Sequence, residues 1–362
     1  MAEHLYTVAA APFEAARHVA LLPAGQRARR LHGHSFLARI RAQLPAGWAP
    51  FAGAETDTLL AQLSECLAPL DYALLNDHLP VPTDENLARW LRLQLALPGI
   101  EQVGIQSTRD QGAELDQQDH VHLWRRFRFE AAHQLPNVPP GHPCGRMHGH
   151  GFELILHTDR NLVRQDIDCE RLETLWAPLH KELHHICLND LPGLENPTSE
   201  HLATWIWRRL KPELPALSWV TVYETVTAGC HFDGEHYRIW KEQRFESALR
   251  LRRAPQDDPR RRLHGHSYLI RLHLSAPLDE VMGWTVDYGD VKALFKPMYE
   301  RLDHHRLDEL EGLADAGLAE VLRWVRERLQ PRLAPLDRID LYQTPGCGMI
   351  LCWGDGGPAL PV

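Results

Sequence analysis

The stretch Met147-His148-Gly149-His150-Gly151-Phe152-Glu153-Leu154-Ile155-Leu156 decides the architecture. Phe152, Leu154 and Leu156 alternate with period two, the pattern of a strand with one buried face. His148 and His150 continue that alternation. Both therefore project from one face, about 6–7 Å apart by strand rise. His-Gly-His occurs three times, at 32–34, 148–150 and 264–266, and the interval is 116 residues both times. A second marker keeps the same interval: Phe13-Glu14-Ala15-Ala16, Phe129-Glu130-Ala131-Ala132 and Phe245-Glu246-Ser247-Ala248. A period that long is a small domain, not a solenoid repeat. The 362 residues read as three fused homologous units, 1–122, 123–241 and 242–362.

Each unit has the same coarse order. A strand with the Phe-Glu marker leads through a Pro- and Arg-rich loop into the His-Gly-His strand. In the middle unit two helices follow, over 168–183 and 199–210. The second opens on Asn196-Pro197-Thr198-Ser199-Glu200, with cap residues and an early acid. A strand over 219–225 and a hairpin through 229–237 close the unit. The expected fold is α+β, an antiparallel sheet with helices on one face.

Composition narrows the function. Hydrophobic residues make 44% and charged residues 24%, ordinary for a globular protein. No run of about 18 apolar residues occurs, so no membrane partner is expected. Met1 to Ala16 lacks a basic start followed by an apolar run, so no secretory signal is expected. A formal charge of −9 argues against nucleic acid, whose phosphates need a basic footprint. Seven Cys without pairing spacing indicate reduced thiols and a cytoplasmic protein. The outlier is His, at 23 residues, and it points toward metal.

The middle unit carries the constellation. A hairpin-like pairing brings His133 alongside His148 and His150. Three imidazoles with no fourth protein ligand are the layout of a catalytic zinc site with an open position. Cys144 enters the metal strand from the preceding loop. Zinc and Arg146 would favour its thiolate and make it a base or nucleophile. Glu224 shares a strand face with Val220 and Val222, and could grip a pair of ligand N–H groups.

These motifs together resemble a known family. Phe129-Glu130-Ala131-Ala132-His133, Cys144-x3-His148-Gly149-His150, Leu188-Asn189-Asp190, Pro197-Thr198-Ser199-Glu200 and Glu224-Thr225 occur in order. The middle unit closely resembles the bacterial 6-carboxytetrahydropterin synthases of queuosine biosynthesis, relatives of 6-pyruvoyltetrahydropterin synthase. Units three and one resemble the same family more weakly. The resemblance implies the tunnelling fold, in which three subunits close a barrel and two trimers stack. Three fused units would then form a pseudo-trimeric barrel, and two chains a homodimer. The implied reaction converts 7,8-dihydroneopterin triphosphate to 6-carboxy-5,6,7,8-tetrahydropterin, releasing acetaldehyde and triphosphate. The implied roles are zinc ligation by His133, His148 and His150, proton abstraction by Cys144, and pterin binding by Glu224 and Thr198. A 6-pyruvoyl product, another pterin side-chain cleavage, and a non-catalytic pterin- or metal-binding protein stay open.

The three copies depart from the family's pattern differently. Unit one has Arg17, Ala28 and Gln106 where His133, Cys144 and Glu224 are expected, and unit three has Leu249, Arg260 and Gln343. A cation or a Leu cannot replace imidazole as a ligand. His18, beside Arg17, faces the other way on a strand. The family also implies a Leu-Asp-His motif whose Asp and His join the Cys across a subunit boundary. Unit two has Leu183-His184-His185, unit one Leu70-Asp71-Tyr72, and only unit three has Leu302-Asp303-His304. The expectation is that Asp303 and His304 of unit three complete the site of unit two. The alternative is His185 without its carboxylate. The basic runs Arg27, Arg29, Arg30 and Arg260–Arg262 read as solvated loop charge, or as a grip on triphosphate.

Overall fold

A computed structural model of the chain describes residues 2–22, 24–162, 168–354, 356–358 and 360. Unit one contributes β1 (His4–Arg17), β2 (His32–Ala42), α1 (Glu55–Leu67), β3 (Ala73–Leu74), α2 (Asp84–Gln94), β4 (Ile100–Thr108) and β5 (Gln111–Leu115). Unit two has β6 (Val121–His133), β7 (His148–Asp159), α3 (Cys169–Leu183), α4 (Ser199–Leu210), β8 (Leu217–Thr225) and β9 (Ala228–Phe232). Unit three has β10 (Tyr237–Leu249), β11 (His264–Ser275), α5 (Tyr288–Leu302), β12 (His305–Arg306), α6 (Leu318–Leu329), β13 (Leu336–Thr344) and β14 (Cys347–Cys352). The two middle-unit helices start at their capping side chains. Asp168 accepts from Arg171 N, and Thr198 accepts from His201 N.

The units join edge to edge through the antiparallel pairs β5–β6, β9–β10 and β14–β1. Four long strands per unit thus close into a twelve-stranded antiparallel barrel, with β3 and β12 added in parallel. Closure leaves no exposed edge among these twelve. This is the expected pseudo-trimeric barrel of tunnelling-fold units. β6 and β10 begin at Val121 and Tyr237, so the expected junctions at 122/123 and 241/242 fall inside strands. The hairpin expected at 229–237 is the link from β9 to the first strand of unit three.

Alternation along each strand makes two layers. In unit two Phe129, Phe152, Leu154, Leu156, Val220 and Val222 pack with Leu172, Trp176, Leu202 and Ile206 of the helices. Equivalent cores lie under the helices of the other units. The opposite face, turned into the barrel, is polar and still buried. Arg338 pairs with Asp340 at 2.7 Å, His273 with Asp340 at 3.2 Å, Arg271 with Glu242 at 2.8 Å and Arg126 with Glu153 at 3.3 Å. No helix among the described residues is long and apolar enough to cross a membrane.

Candidate active site at the junction of units two and three

His133 ends β6 directly opposite His148, the first residue of β7. The antiparallel register therefore puts three imidazoles on the helix-covered face, with ligand atoms all within 4.8 Å. Backbone carbonyls fix two of the rings. His133 Nδ1 donates to Pro197 O at 3.1 Å, and His148 Nδ1 donates to Arg146 O at 2.8 Å. Each donation leaves Nε2 as a lone-pair donor, the usual outer shell of a metal-binding His. His150 Nε2 lies 3.1 Å from His133 Nε2. Two Zn–N bonds of about 2.0–2.1 Å at a tetrahedral angle would set their nitrogens about 3.3 Å apart. The donor set thus fits a divalent transition-metal cation. Burial lowers His133 to about 4, and lowers His150 as well, so both rings are neutral and ready to ligate.

Glu224 lies where a β-bulge interrupts the pairing of β8 with β9, between Tyr223 and Thr225. A bulge leaves its residue free of the ladder and re-aims its side chain. Burial first, then Glu200 and Asp287, raise Glu224 to about 7. Glu200 is itself buried, and accepts from the N–H and hydroxyl of Thr285 in unit three, at 2.8 and 3.1 Å. Cys144 is pushed up by burial, then by Glu224 and Asp287. The protein groups acting on this thiol are carboxylates, not Arg146, so they hold it protonated; only a bound cation would favour its thiolate. His142 braces the loop: it accepts from Cys144 N at 3.2 Å and meets Asp287 of unit three at 3.1 Å. Thr198 is committed elsewhere. Its hydroxyl donates to Gly283 O at 2.5 Å and accepts from His201 N, so it caps α4 and ties the units rather than facing a ligand.

The sequence reading missed Glu200, His142 and Asp287. Glu200 is legible in the sequence as an early helix acid and as the end of the Pro197-Thr198-Ser199-Glu200 motif, but neither gives it a role beside Glu224. Asp287 caps α5, and nothing local in sequence tells that it crosses to unit two.

Asp303 and His304 do not enter this cluster within the chain. His304 N donates to Glu246 O at 2.6 Å, Asp303 Oδ1 accepts from Glu246 N at 2.9 Å, and Asp303 Oδ2 holds His304 Nδ1 at 2.9 Å. His304 lines an open hollow of its own unit beside His266. The matching hollow beside His150 is lined by His185. His184 replaces Asp303 structurally, its Nδ1 accepting from Glu130 N at 3.1 Å, but it supplies no carboxylate to His185.

The other two copies are closed by ion pairs. In unit one Arg17 occupies the first ligand position, donating to Pro82 O at 2.9 Å and pairing with Asp84 at 2.6 Å. The residue matching Glu224 there is Ser107, not Gln106, because Gln106 and Tyr223 hold equivalent registers against Leu37 and Glu153. Ser107 donates to Asp84 Oδ2 at 2.6 Å. In unit three Leu249 is buried at the ligand position. Arg260 pairs with Asp57 at 2.9 Å and Asp258 at 2.7 Å, and Gln343 donates to Asp57 at 2.8 Å. Arg260 is therefore not free to grip phosphate.

The fold and site together define a barrel of three tandem α+β units with, among the described residues, one three-His cluster that could hold a metal ion. The chain belongs to the 6-pyruvoyl tetrahydropterin synthase family, which matches residues 7–118, 122–235 and 238–352. It is 36% identical over 119 residues to the 6-carboxy-5,6,7,8-tetrahydropterin synthase of Synechocystis sp., covering 30% of this chain and 91% of that protein. It is 31% identical over 91 residues to the dihydroneopterin monophosphate aldolase of Pyrococcus furiosus, covering 25% and 75%. Among solved structures, Caenorhabditis elegans 6-pyruvoyl tetrahydropterin synthase aligns with 19% identity and a TM-score of 0.30, covering 33% of this chain and 95% of that one. Uricase from Arthrobacter globiformis aligns with 9% identity and a TM-score of 0.33, covering 77% and 97%.

Proposed function

We propose that unit two is a zinc-dependent lyase that converts 7,8-dihydroneopterin triphosphate and one water to 6-carboxy-5,6,7,8-tetrahydropterin, with carbon–oxygen cleavage releasing triphosphate and carbon–carbon cleavage releasing acetaldehyde, as a cytoplasmic step of queuosine biosynthesis. The observation that carries this reading is the coincidence, in one unit only, of the three-His cluster, Cys144 and Glu224. Relatives bearing the names of pterin-cleaving enzymes support the substrate class. All seven cysteines are free thiols, which fits a reducing compartment.

His133, His148 and His150 hold the cation, with Pro197 O and Arg146 O orienting two of them. Bound there, a divalent cation polarises oxygens of the substrate side chain. Glu224 anchors the pterin ring through charge-assisted hydrogen bonds from its N–H groups, and binding such donors draws its raised pKa back down. Cys144 takes a carbon-bound proton beside the cluster; Asp303 with His304, which lie away from it within the chain, would relay the proton from a second chain. His185, exposed beside His150, is the alternative relay. The name of the archaeal relative favours a second reading, an aldolase-like cleavage of the same side chain.

The test is anaerobic incubation of zinc-loaded protein with 7,8-dihydroneopterin triphosphate, with products read by mass spectrometry and Cys144→Ala as control. Carboxytetrahydropterin and acetaldehyde, absent from the control, are the expected result. A pyruvoyl or hydroxymethyl product would keep the site and change the reaction. Unreacted substrate at one zinc per chain would reduce the protein to a binding role.

A further inference from the structure

The polar face inside the barrel repeats once per unit, and one position breaks the pattern. Arg41 on β2, His157 on β7 and His273 on β11 are equivalent. Each lies diagonally across the ladder from a second equivalent set, Gly104 on β4, Thr221 on β8 and Asp340 on β13. In unit two His157 Nε2 lies 2.9 Å from the Thr221 hydroxyl, and in unit three His273 Nε2 lies 3.2 Å from Asp340 Oδ2. Burial lowers both imidazoles to about 3, so neither carries a charge into the barrel.

Unit one has neither device. A guanidinium does not shed its proton as an imidazole does. Its diagonal neighbour, Gly104, brings no side chain. Among the described residues no carboxylate lies within 4.0 Å of the Arg41 guanidinium, and its Nε is sealed from solvent without a hydrogen-bond partner. Its one close companion is the Tyr6 ring, 5.2 Å from Cζ. The nearby charges are committed elsewhere. Asp340 holds Arg338 through two hydrogen bonds, at 2.7 and 2.9 Å. Glu114 accepts from Gln102 and lies 3.6 Å from Arg39. Arg41 is the charge left over, and Arg338 repels it. A buried charge without a counter-ion is strongly destabilising.

Beside it the barrel holds a cavity of about 20 Å³, lined by Arg39, Arg41, Gly104, Glu114 and Arg338 and closed by the buried Leu360. That is room for one water-sized occupant. A water would supply hydrogen bonds but no charge. A phosphate or carboxylate is too large. Gly104 makes the room: a Cβ there would meet Glu114 Cγ at 3.1 Å.

We propose that this cavity is a binding site for a single halide ion, chloride, which serves Arg41 as the counter-ion that Gly104 does not provide. The ion would sit where β13 and β14 of unit three meet β1, β2 and β4 of unit one, so it fastens the seam that closes the barrel. The proposal is independent of the reaction assigned to unit two.

Two measurements on the full chain, purified without halide, test it. In the first, chloride replaces gluconate at constant ionic strength, from zero to about 200 mM, and the wild-type melting temperature is expected to rise by about 2–4 °C. Arg41→Met should show no such rise. Arg41→His, which installs the residue of the other two units, should behave like Arg41→Met. An equal response in wild type and either variant overturns the proposal, because it would report a general salt effect. The second measurement needs no variant. Crystals grown with sodium bromide in place of chloride are examined for anomalous scattering. A bromide peak between Arg39, Arg41 and Arg338 supports the site. Bromide confined to the outer surface, with water or nothing beside Arg41, overturns it.

Discussion

Glu224 shows how one side chain couples the site to stability. Its carboxyl is raised to about 7 by burial, then by Glu200 and Asp287. A group raised on folding contributes stability that is fully present below the ordinary carboxyl value and is lost as pH rises through about 7. The difference is on the order of 3 kcal/mol. Without ligand, the wild type is expected to lose melting temperature between pH 5 and 8, while Glu224→Gln stays flatter; equal slopes in calorimetry would contradict the burial argument. The metal ligands give a second prediction. His148→Ala should weaken zinc binding by about 100-fold or more, with unchanged circular dichroism. His32→Ala, the matching change in unit one, should leave zinc stoichiometry unaltered, because Arg17 stands there in place of the first imidazole, the one His133 supplies in unit two. Metal analysis after dialysis against a mild chelator reads both.

At the scale of elements, the strands carry two different codes. Outward residues follow the apolar alternation that marked β7 in the sequence. Inward residues form a buried ionic lining, of which Asp340 is the centre. It is fully buried and holds Arg338 through two hydrogen bonds, at 2.7 and 2.9 Å, and His273 at 3.2 Å. Asp340→Ala strands a buried guanidinium and should cost about 3–5 kcal/mol in denaturant unfolding. The partly exposed Arg260–Asp57 pair should cost far less when Asp57→Ala is made, about 1 kcal/mol or below. The Glu224 bulge and the Gln106 misalignment belong here too. The same bulge recurs in every unit, but the chain between the paired strands differs in length from unit to unit, so sequence spacing alone assigned the wrong neighbour of Ser107.

Across the whole molecule, each unit supplies the edge partners of the next. β6 and β9 of unit two are covered by β5 and β10. An excised unit two, residues 121–236, would present two long unpaired edges and should self-associate, most simply as a trimer that closes the same barrel. Size-exclusion chromatography with light scattering checks this; a stable monomer would mean that closure is not what holds the unit.

The sequence by itself determined the three units, the α+β order, the helix starts at Asp168 and Thr198, and the His133, His148 and His150 cluster. These are local or periodic facts: alternation, capping and a fixed repeat interval survive in one dimension. What only the tertiary structure decided lies between units. The approach of Asp287 to His142 and Cys144, the grip of Thr285 on Glu200, the closing of two sites by Arg17 and Arg260, and the placement of Asp303 and His304 away from the cluster all depend on which strand edge meets which. Barrel closure sets those neighbours. They join residues dozens to hundreds of positions apart, and no spacing along the chain encodes them.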